Sequence, residues 1–177
     1  MQFSKLLVPV IAMLFSFCVA VEQSNSQSIP FWAFGTNGSY FPAADGSGGP
    51  YEGFGFGFPL GVHFVTGNLA VIPTDDPLVF DWVTTEPQLS MGIFGSILFE
   101  SEGSVQLIPE LDGGGNPTGV FTAEWTADFT VVGGTGLFSS VQPAARPLKV
   151  VAVNEPFTLA DPEWNFSWTL VGRIRLF

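Results

Sequence analysis

The chain has 177 residues, 46% of them hydrophobic and 12% charged, and its 16 acidic against 5 basic residues give a formal net charge of −11. This balance argues strongly against nucleic acids and anionic membrane surfaces as partners, because both repel it at long range. Nineteen Phe and five Trp, with no long polar helix-forming stretch, are typical of an all-β protein.

The first twenty residues are predicted to be a cleaved secretory signal. Lys5 supplies a positively charged start, and residues 6–17 form an apolar run too short for a comfortable membrane span. Small residues then precede a cleavage site between Ala20 and Val21. We therefore expect an exported protein, extracellular or, in a bacterium, periplasmic.

Cleavage at this site removes Cys18, the only cysteine, so the mature chain is expected to fold without a disulfide. The alternative is a bacterial lipoprotein with its lipid on Cys18, but that processing requires a small residue where Phe17 stands. Loss of Lys5 leaves four basic against sixteen acidic residues, a net charge of −12. After a polar tail at 21–30, residues 31–177 are predicted to form one domain.

Glycine and aromatic residues dominate the start of this domain. Phe54-Gly55-Phe56-Gly57-Phe58, here called the Phe-Gly repeat, places three Phe on one face of a strand and Gly on the other. An all-glycine face indicates that something packs closely against it, either a neighbouring strand across which this one bends or a ligand. Residues 60–72 are then predicted to form a strand pair or one bent strand, followed by a turn at 73–77.

The middle of the chain reads as further short strands. Leu78, Phe80 and Trp82 share one face of a strand, with Asp81 on the other. Residues 92–100 and 104–111 are predicted to be two strands joined by a tight turn at Ser101-Glu102-Gly103. A hairpin loop is expected at 112–117.

Two segments alternate with a clear period of two. From Val120 to Val132 the odd positions carry apolar residues, including Trp125 and Phe129, and most even positions carry Thr, Glu or Asp. From Trp164 to Leu176 one face likewise carries Trp168 and other apolar residues. We expect both apolar faces to point into a shared core, and about eight strands in all, with a further one at 148–153.

The first alternating segment runs into a glycine corner. Gly133, Gly134 and Gly136, with Thr135 between them, mark a forced change of direction, because glycine can adopt positive φ. The hydrophobic pair Leu137-Phe138 is predicted to close this corner.

The run from Phe129 to Phe138 resembles the Phe-Thr-hydrophobic-hydrophobic-Gly-Gly-Thr-Gly-x-Phe signature of dirigent proteins and the allene oxide cyclase barrel superfamily, and is closer still to small secreted microbial proteins that carry it. The resemblance covers chiefly residues 119–141, and residues 139–143 depart from the Gly-Ala-x-Gly-like continuation. It implies a single eight-stranded antiparallel barrel of the calycin or allene oxide cyclase kind with a central cavity. Members of the resembling families often assemble through their outer walls, so the resemblance leaves a homo-oligomer open without deciding the oligomeric state. No catalytic residue can be carried over, because the acidic, arginine and tyrosine positions those enzymes use have no counterpart here.

No catalytic or metal-ligand pattern is visible, so no cofactor and no metal are expected. His63 is the only histidine and has no cysteine to join it in the mature chain, which favours a structural or rim residue over zinc or Ser-His-Asp chemistry. The acidic pairs near residues 75, 101 and 111 lack the ligand spacing of a calcium loop. Asn37 and Asn165 match the N-glycosylation pattern, which matters only in a eukaryote.

Charged side chains on the polar faces of the two alternating segments suggest one contact. Glu124 and Asp128 lie in the first segment, and Arg173 and Arg175 lie in the last. If the two strands pair, these charges would meet across them on the outer face.

Three functions stay open. The first is a secreted, non-enzymatic barrel that binds an apolar small molecule or a protein, or has a structural role. A hollow interior would be lined by Trp82, Trp125, Phe129 and Trp168. The second is a dirigent-like or cyclase-like enzyme that steers a reactive intermediate by shape. The third is a small outer-membrane barrel, which the position of Phe177 on the face of Arg173 and Arg175 disfavours.

Overall fold

The computed structural model describes residues 27–176, so the predicted signal and its Ala20–Val21 cleavage site lie outside the described residues. Strands make up most of this part of the chain. They are β1 (Gln27–Tyr40), β2 (Gly48–Phe58), β3 (Gly61–Pro73), β4 (Val79–Thr84), β5 (Gln88–Gly92), β6 (Gly95–Leu111), β7 (Pro117–Gly134), β8 (Gln142–Pro143), β9 (Leu148–Asn154) and β10 (Trp164–Leu176), with one turn of 3-10 helix at Gly136–Phe138.

The strands form one closed antiparallel sheet. Each strand position pairs with the next along the chain, and β10 returns to pair with β1. β4 and β5 share a single position between β3 and β6, as two segments of a strand interrupted at residues 85–87. The ring therefore has eight positions, which confirms the predicted all-β antiparallel barrel. Short β8 lies beside the end of β10.

Alternation along β7 separates the inside of the barrel from its outside. The odd-numbered positions from Ala123 to Val131 are buried, whereas Glu124 and Thr130 are exposed. β10 follows the same rule, with Trp164 and Ile174 buried in the core. The faces predicted for these two strands are confirmed, and both apolar faces point to one shared interior.

The predicted turn at Ser101-Glu102-Gly103 is wrong, because β6 runs through these residues without a break. Glu102 pairs with Asp128 of β7, and the inward and outward positions keep their period of two. Glycine is present at position 103 for a reason other than a turn. A Cβ atom on Gly103 would lie 2.0 Å from the carbonyl oxygen of Thr126, so close approach of β7 requires glycine.

Other boundaries also differ from the prediction. β1 begins at Gln27, so the last residues of the predicted tail pair with β10 and belong to the barrel. Residues 60–72 lie almost wholly in one strand, not a pair, and the predicted strand at 92–100 is divided by a hairpin turn at Ile93-Phe94. Leu60 alone precedes that single strand.

The predicted charge contact between the two alternating segments is wrong, because β9 lies between β7 and β10. Asp128 instead forms an ion pair with Lys149 of β9. Arg173 donates hydrogen bonds to the hydroxyl and carbonyl oxygens of Ser28 in β1, at 2.9 and 2.6 Å. Exposed ion pairs of this kind contribute at most about 1 kcal/mol.

Candidate ligand cavity inside the barrel

The barrel encloses a cavity of about 80 Å³. The four side chains named from the sequence as cavity lining, Trp82, Trp125, Phe129 and Trp168, all lie on its wall. A water molecule requires about 10–15 Å³, and an apolar cavity of about 150 Å³ holds benzene. The interior is therefore neither filled nor wide, and its size suits a molecule of few atoms.

Glycines of β1 and β2 make the room that Trp168 occupies. Cβ atoms built on Gly35 and Gly55 would lie 2.5 and 2.6 Å from atoms of its indole ring. Gly38 makes the same room for the ring of Phe166, at 2.4 Å. The glycine face of the Phe-Gly repeat thus points inward, and what packs closely against it is a side chain of β10. The expected close approach of the neighbouring strand also holds, because a Cβ atom on Gly57 would lie 2.1 Å from the backbone oxygen of Trp32 in β1.

One side of the cavity carries a polar group of residues. The hydroxyl of Tyr51 donates a hydrogen bond to the side-chain oxygen of Gln88, and Ser90 lies on the same inward face of β5. All three line the cavity. Burial raises the pKa of Tyr51 above its usual value, so this hydroxyl stays protonated as a donor.

Aromatic rings form much of the remaining lining. Tyr40 packs edge to face against Trp125 with ring centroids 5.6 Å apart, and Trp82 packs against Trp125 at 6.0 Å. The indole nitrogen of Trp125 donates a 2.5 Å hydrogen bond to Asn154, whose amide donates in turn to the backbone oxygen of Asn165 at 3.0 Å. Burial raises the pKa of Tyr40 to about 12. These contacts hold the rings in one arrangement.

His63 is buried inside the barrel beside Trp168. It is 2% exposed, its Nδ1 lies 2.9 Å from the carbonyl oxygen of Gly61, and its ring centroid lies 5.7 Å from that of Trp168. Burial lowers its pKa, and the hydrogen bond to Gly61 offsets this only in part, so the ring is neutral at pH 7. Its Nε2 has no hydrogen-bond partner within residues 27–176. This arrangement fits a packing residue.

We expect the protein to lose stability as the pH falls below about 6.5, the ordinary pKa of histidine. The unfolded chain binds a proton on His63 at the ordinary histidine pKa, whereas the folded chain binds it only at lower pH. The free energy of unfolding therefore rises with pH across this window. Urea denaturation at pH 7 and pH 5 measures the effect.

The control for this prediction is His63→Leu, which should remove the histidine contribution to the difference between the two pH values. The residues paired with His63 on β2 and β5 are Gly55 and Gly92, which do not titrate, and neither does Trp168. A variant that keeps the whole difference would contradict the assignment to His63.

The glycine corner ends β7 and turns the chain into the core. Thr135 fixes it to the start of β6, where its backbone N–H donates to Ser96 O at 2.8 Å and its hydroxyl oxygen accepts from Ser96 N at 3.1 Å. Gly136 has φ +60°, a conformation that favours glycine. Phe138 is buried, but Leu137 is 65% exposed, so the prediction that both residues close the corner is wrong for Leu137.

Sequence reasoning missed the polar side of the cavity. No strand is predicted at residues 88–91, although Gln88 and Ser90 alternate there with Leu89 and Met91 in a short period-two pattern. Because polar residues face inward in this strand, its sequence lacks the apolar face by which a buried strand is identified. The predicted glycosylation residue Asn37, by contrast, is exposed on the outer surface.

Comparisons with protein-family models, with curated proteins and with solved structures find no match. The resemblance to dirigent proteins and allene oxide cyclases stays a prediction. Within residues 27–176, no helix is long and apolar enough to cross a membrane. The same part of the chain contains no group of three or more His, Cys, Asp or Glu residues that could hold a metal ion.

Proposed function

We propose that this is a secreted, non-enzymatic binding protein whose barrel interior holds a small apolar molecule with one hydrogen-bonding group. The observation that carries the proposal is the cavity of about 80 Å³, whose mostly apolar lining includes the polar side chains of Tyr51, Gln88 and Ser90. Small-molecule sites are typically concave and mostly apolar, with a few convergent polar groups that fix orientation.

The polar side sets the chemical class of the ligand. Tyr51 already donates to Gln88, so the amide of Gln88 and the hydroxyl of Ser90 are the groups that offer a hydrogen bond to a guest. The rings of Trp82, Trp125 and Phe129 favour a flat apolar body. A short-chain alcohol or ketone smaller than benzene combines both features, because the cavity of about 80 Å³ is about half the size of one that holds benzene.

A dirigent-like or cyclase-like enzyme is the second candidate, since guidance by shape also needs an apolar interior. Such an enzyme must enclose its reactive intermediate. The cavity is well below the roughly 300–1,000 Å³ of pockets for drug-sized molecules, which favours binding of a smaller guest. The third candidate, an outer-membrane barrel, is disfavoured by exposed Glu100, Glu102 and Glu124 on the outer wall.

Propan-2-ol is the probe that tests the proposed site. We expect it to bind with a dissociation constant between about 0.1 and 50 mM, as suits a ligand of few atoms. Binding should change the fluorescence of the buried tryptophans and shift NMR signals of residues around Trp125. Ala152→Leu, which adds bulk at the cavity wall, should weaken binding at least tenfold.

The matched control is Val151→Leu, one residue away on the outer face of the same strand, which should leave propan-2-ol binding unchanged. Gln88→Leu should weaken propan-2-ol binding, because it removes a hydrogen-bonding group. Absence of binding at concentrations well above the expected dissociation constant, or binding that survives Ala152→Leu, would refute an interior site. Carbonate extraction separately tests the outer-membrane candidate, which release into the soluble fraction eliminates.

A further inference from the structure

We propose that the protein forms a dimer with a second copy of itself through the outer surface of β1 and β2. This surface, here called the aromatic wall, consists of Trp32, Phe34, Phe54, Phe56 and Phe58. The inference goes beyond the ligand cavity, because these side chains point away from the interior.

The rings of the aromatic wall form one continuous patch. Trp32 stacks on Phe34 with centroids 6.2 Å apart, and Phe56 contacts both rings, at 5.8 and 6.2 Å. Phe58 pairs directly with Trp32 across the two strands. On the other edge Phe54 packs at 4.9 Å against Phe64 of β3, so the apolar surface extends over three neighbouring strands.

The exposed aromatic area lies in the upper part of the range found for the largest apolar patch of a single protein. The five rings are 39% to 62% exposed. At about 150–250 Å² for each ring, this leaves on the order of 500 Å² of aromatic surface. Val62 and Val171 extend the patch on either side, and both are exposed. The largest patch on a typical monomer is about 300–600 Å², and a standard interface covers about 800 Å² on each partner.

The strands at and beside the aromatic wall carry few acidic residues, which favours contact between two copies there. Within the bounds of β10, β1, β2 and β3, Glu52 is the only acidic residue, and β10 also carries Arg173 and Arg175. The acidic residues of the other strands lie on β4, β6 and β7. In a ring of eight positions, β6 and β7 lie opposite β1 and β2. The strand residues of two negatively charged copies therefore repel each other least when the aromatic walls meet, with Asp45 and Glu163 in loops at one end of the wall strands.

Geometry supports a symmetric pair. The closed ring offers no free strand edge, so contact between two copies must join outer faces. When the same face of two copies meets, the interface has two-fold symmetry and the same residues lie on both sides. Apolar rings suit this arrangement, because they need no oppositely charged partner.

The test measures the mass of the purified chain in solution by sedimentation velocity between 1 and about 100 μM, the range that a modest interface requires. We expect the mass to double within this range. Phe34→Thr/Phe56→Thr keeps strand-forming residues but removes the centre of the wall, and should raise the dimer dissociation constant at least tenfold. The matched control is Val132→Thr/Val151→Thr, two exposed positions on β7 and β9, which should leave the constant unchanged.

Four outcomes would overturn the proposal. A wild-type chain that stays monomeric at the highest concentration would show that the wall does not join two copies, whether or not residues 1–26 cover it. A dimer that survives the wall substitutions uses another surface. Loss of the dimer in the control shows non-specific association. A monomer that floats with neutral phosphatidylcholine vesicles, and does so less when Phe34 and Phe56 are replaced, uses the wall for lipid. Circular dichroism confirms that both double variants are folded.

Discussion

Replacing Trp125 by alanine should lower the free energy of unfolding by about 3–5 kcal/mol, the largest effect that we expect from a single substitution. Trp125 is buried between Tyr40 and Trp82, so its loss leaves a void that these two rings cannot fill. It also leaves the side-chain oxygen of Asn154 without its indole donor. Denaturant titration of the variant against the wild type measures the change.

Two comparison variants distinguish the specific contribution of Trp125 from a loss of stability that any substitution would cause. Trp125→Phe keeps most of the ring and loses only the hydrogen bond and part of the volume, so it should cost clearly less. Leu159→Ala, at an exposed position between β9 and β10, should change stability by less than about 0.5 kcal/mol. A Trp125→Ala variant as stable as Leu159→Ala would mean that Trp125 is not part of the core.

Replacing Gly55 by alanine should cost about 1–3 kcal/mol, because the new methyl group has no space inside the barrel. It would lie 2.6 Å from the indole of Trp168 and 2.8 Å from the backbone oxygen of Phe34. The indole must then move, or β1 and β2 must separate. Thermal and denaturant unfolding of the variant measure this cost.

Gly113→Ala is the matched control for this substitution. A Cβ atom on Gly113 would meet no atom within 4 Å, so stability should hardly change. Gly55→Ala/Trp168→Leu tests the cause, since a smaller side chain on β10 should remove part of the clash and make the double variant less destabilised than the sum of the two single ones. A fully additive result would show that the indole does not occupy the glycine face.

Strict alternation made the fold predictable where each strand has one apolar and one polar face. In β7, Trp125 and Phe129 alternate with Glu124 and Thr130, and burial alone decides which set points inward. β6 shows where this reasoning fails. Gly103 lies on an inward face that includes small and polar residues, so local composition resembled a turn although the strand continues.

The orientation of the Phe-Gly repeat could not be obtained from its own residues. Burial of apolar area favours Phe inside, yet Phe54 and Phe56 are exposed and the glycines face the interior. The interior space beside Gly55 is filled by Trp168, more than a hundred residues further along the chain. A contact between such distant segments leaves no periodic signal in either one.

The aromatic lining of the candidate site could be predicted from the sequence, but its volume and its polar contact could not. Its aromatic lining follows from the inward faces of β4, β7 and β10, which alternation identifies. The volume of the cavity and the pairing of Tyr51 with Gln88 depend on how side chains from opposite strands meet. No local pattern contains that information.

The acidic residues of the strands, apart from Glu52, lie on β4, β6 and β7 and away from the aromatic wall, so the strand charges form an electric dipole across the barrel axis. Its negative end lies on the side of β6 and β7, and its positive end lies towards Arg173 and Arg175. On a cationic support such as an anion-exchange resin, the molecule should adsorb by β6 and β7, with Trp32 and Phe56 turned towards the bulk solution. The distribution of charged side chains around the ring therefore determines how the protein is oriented on a charged support.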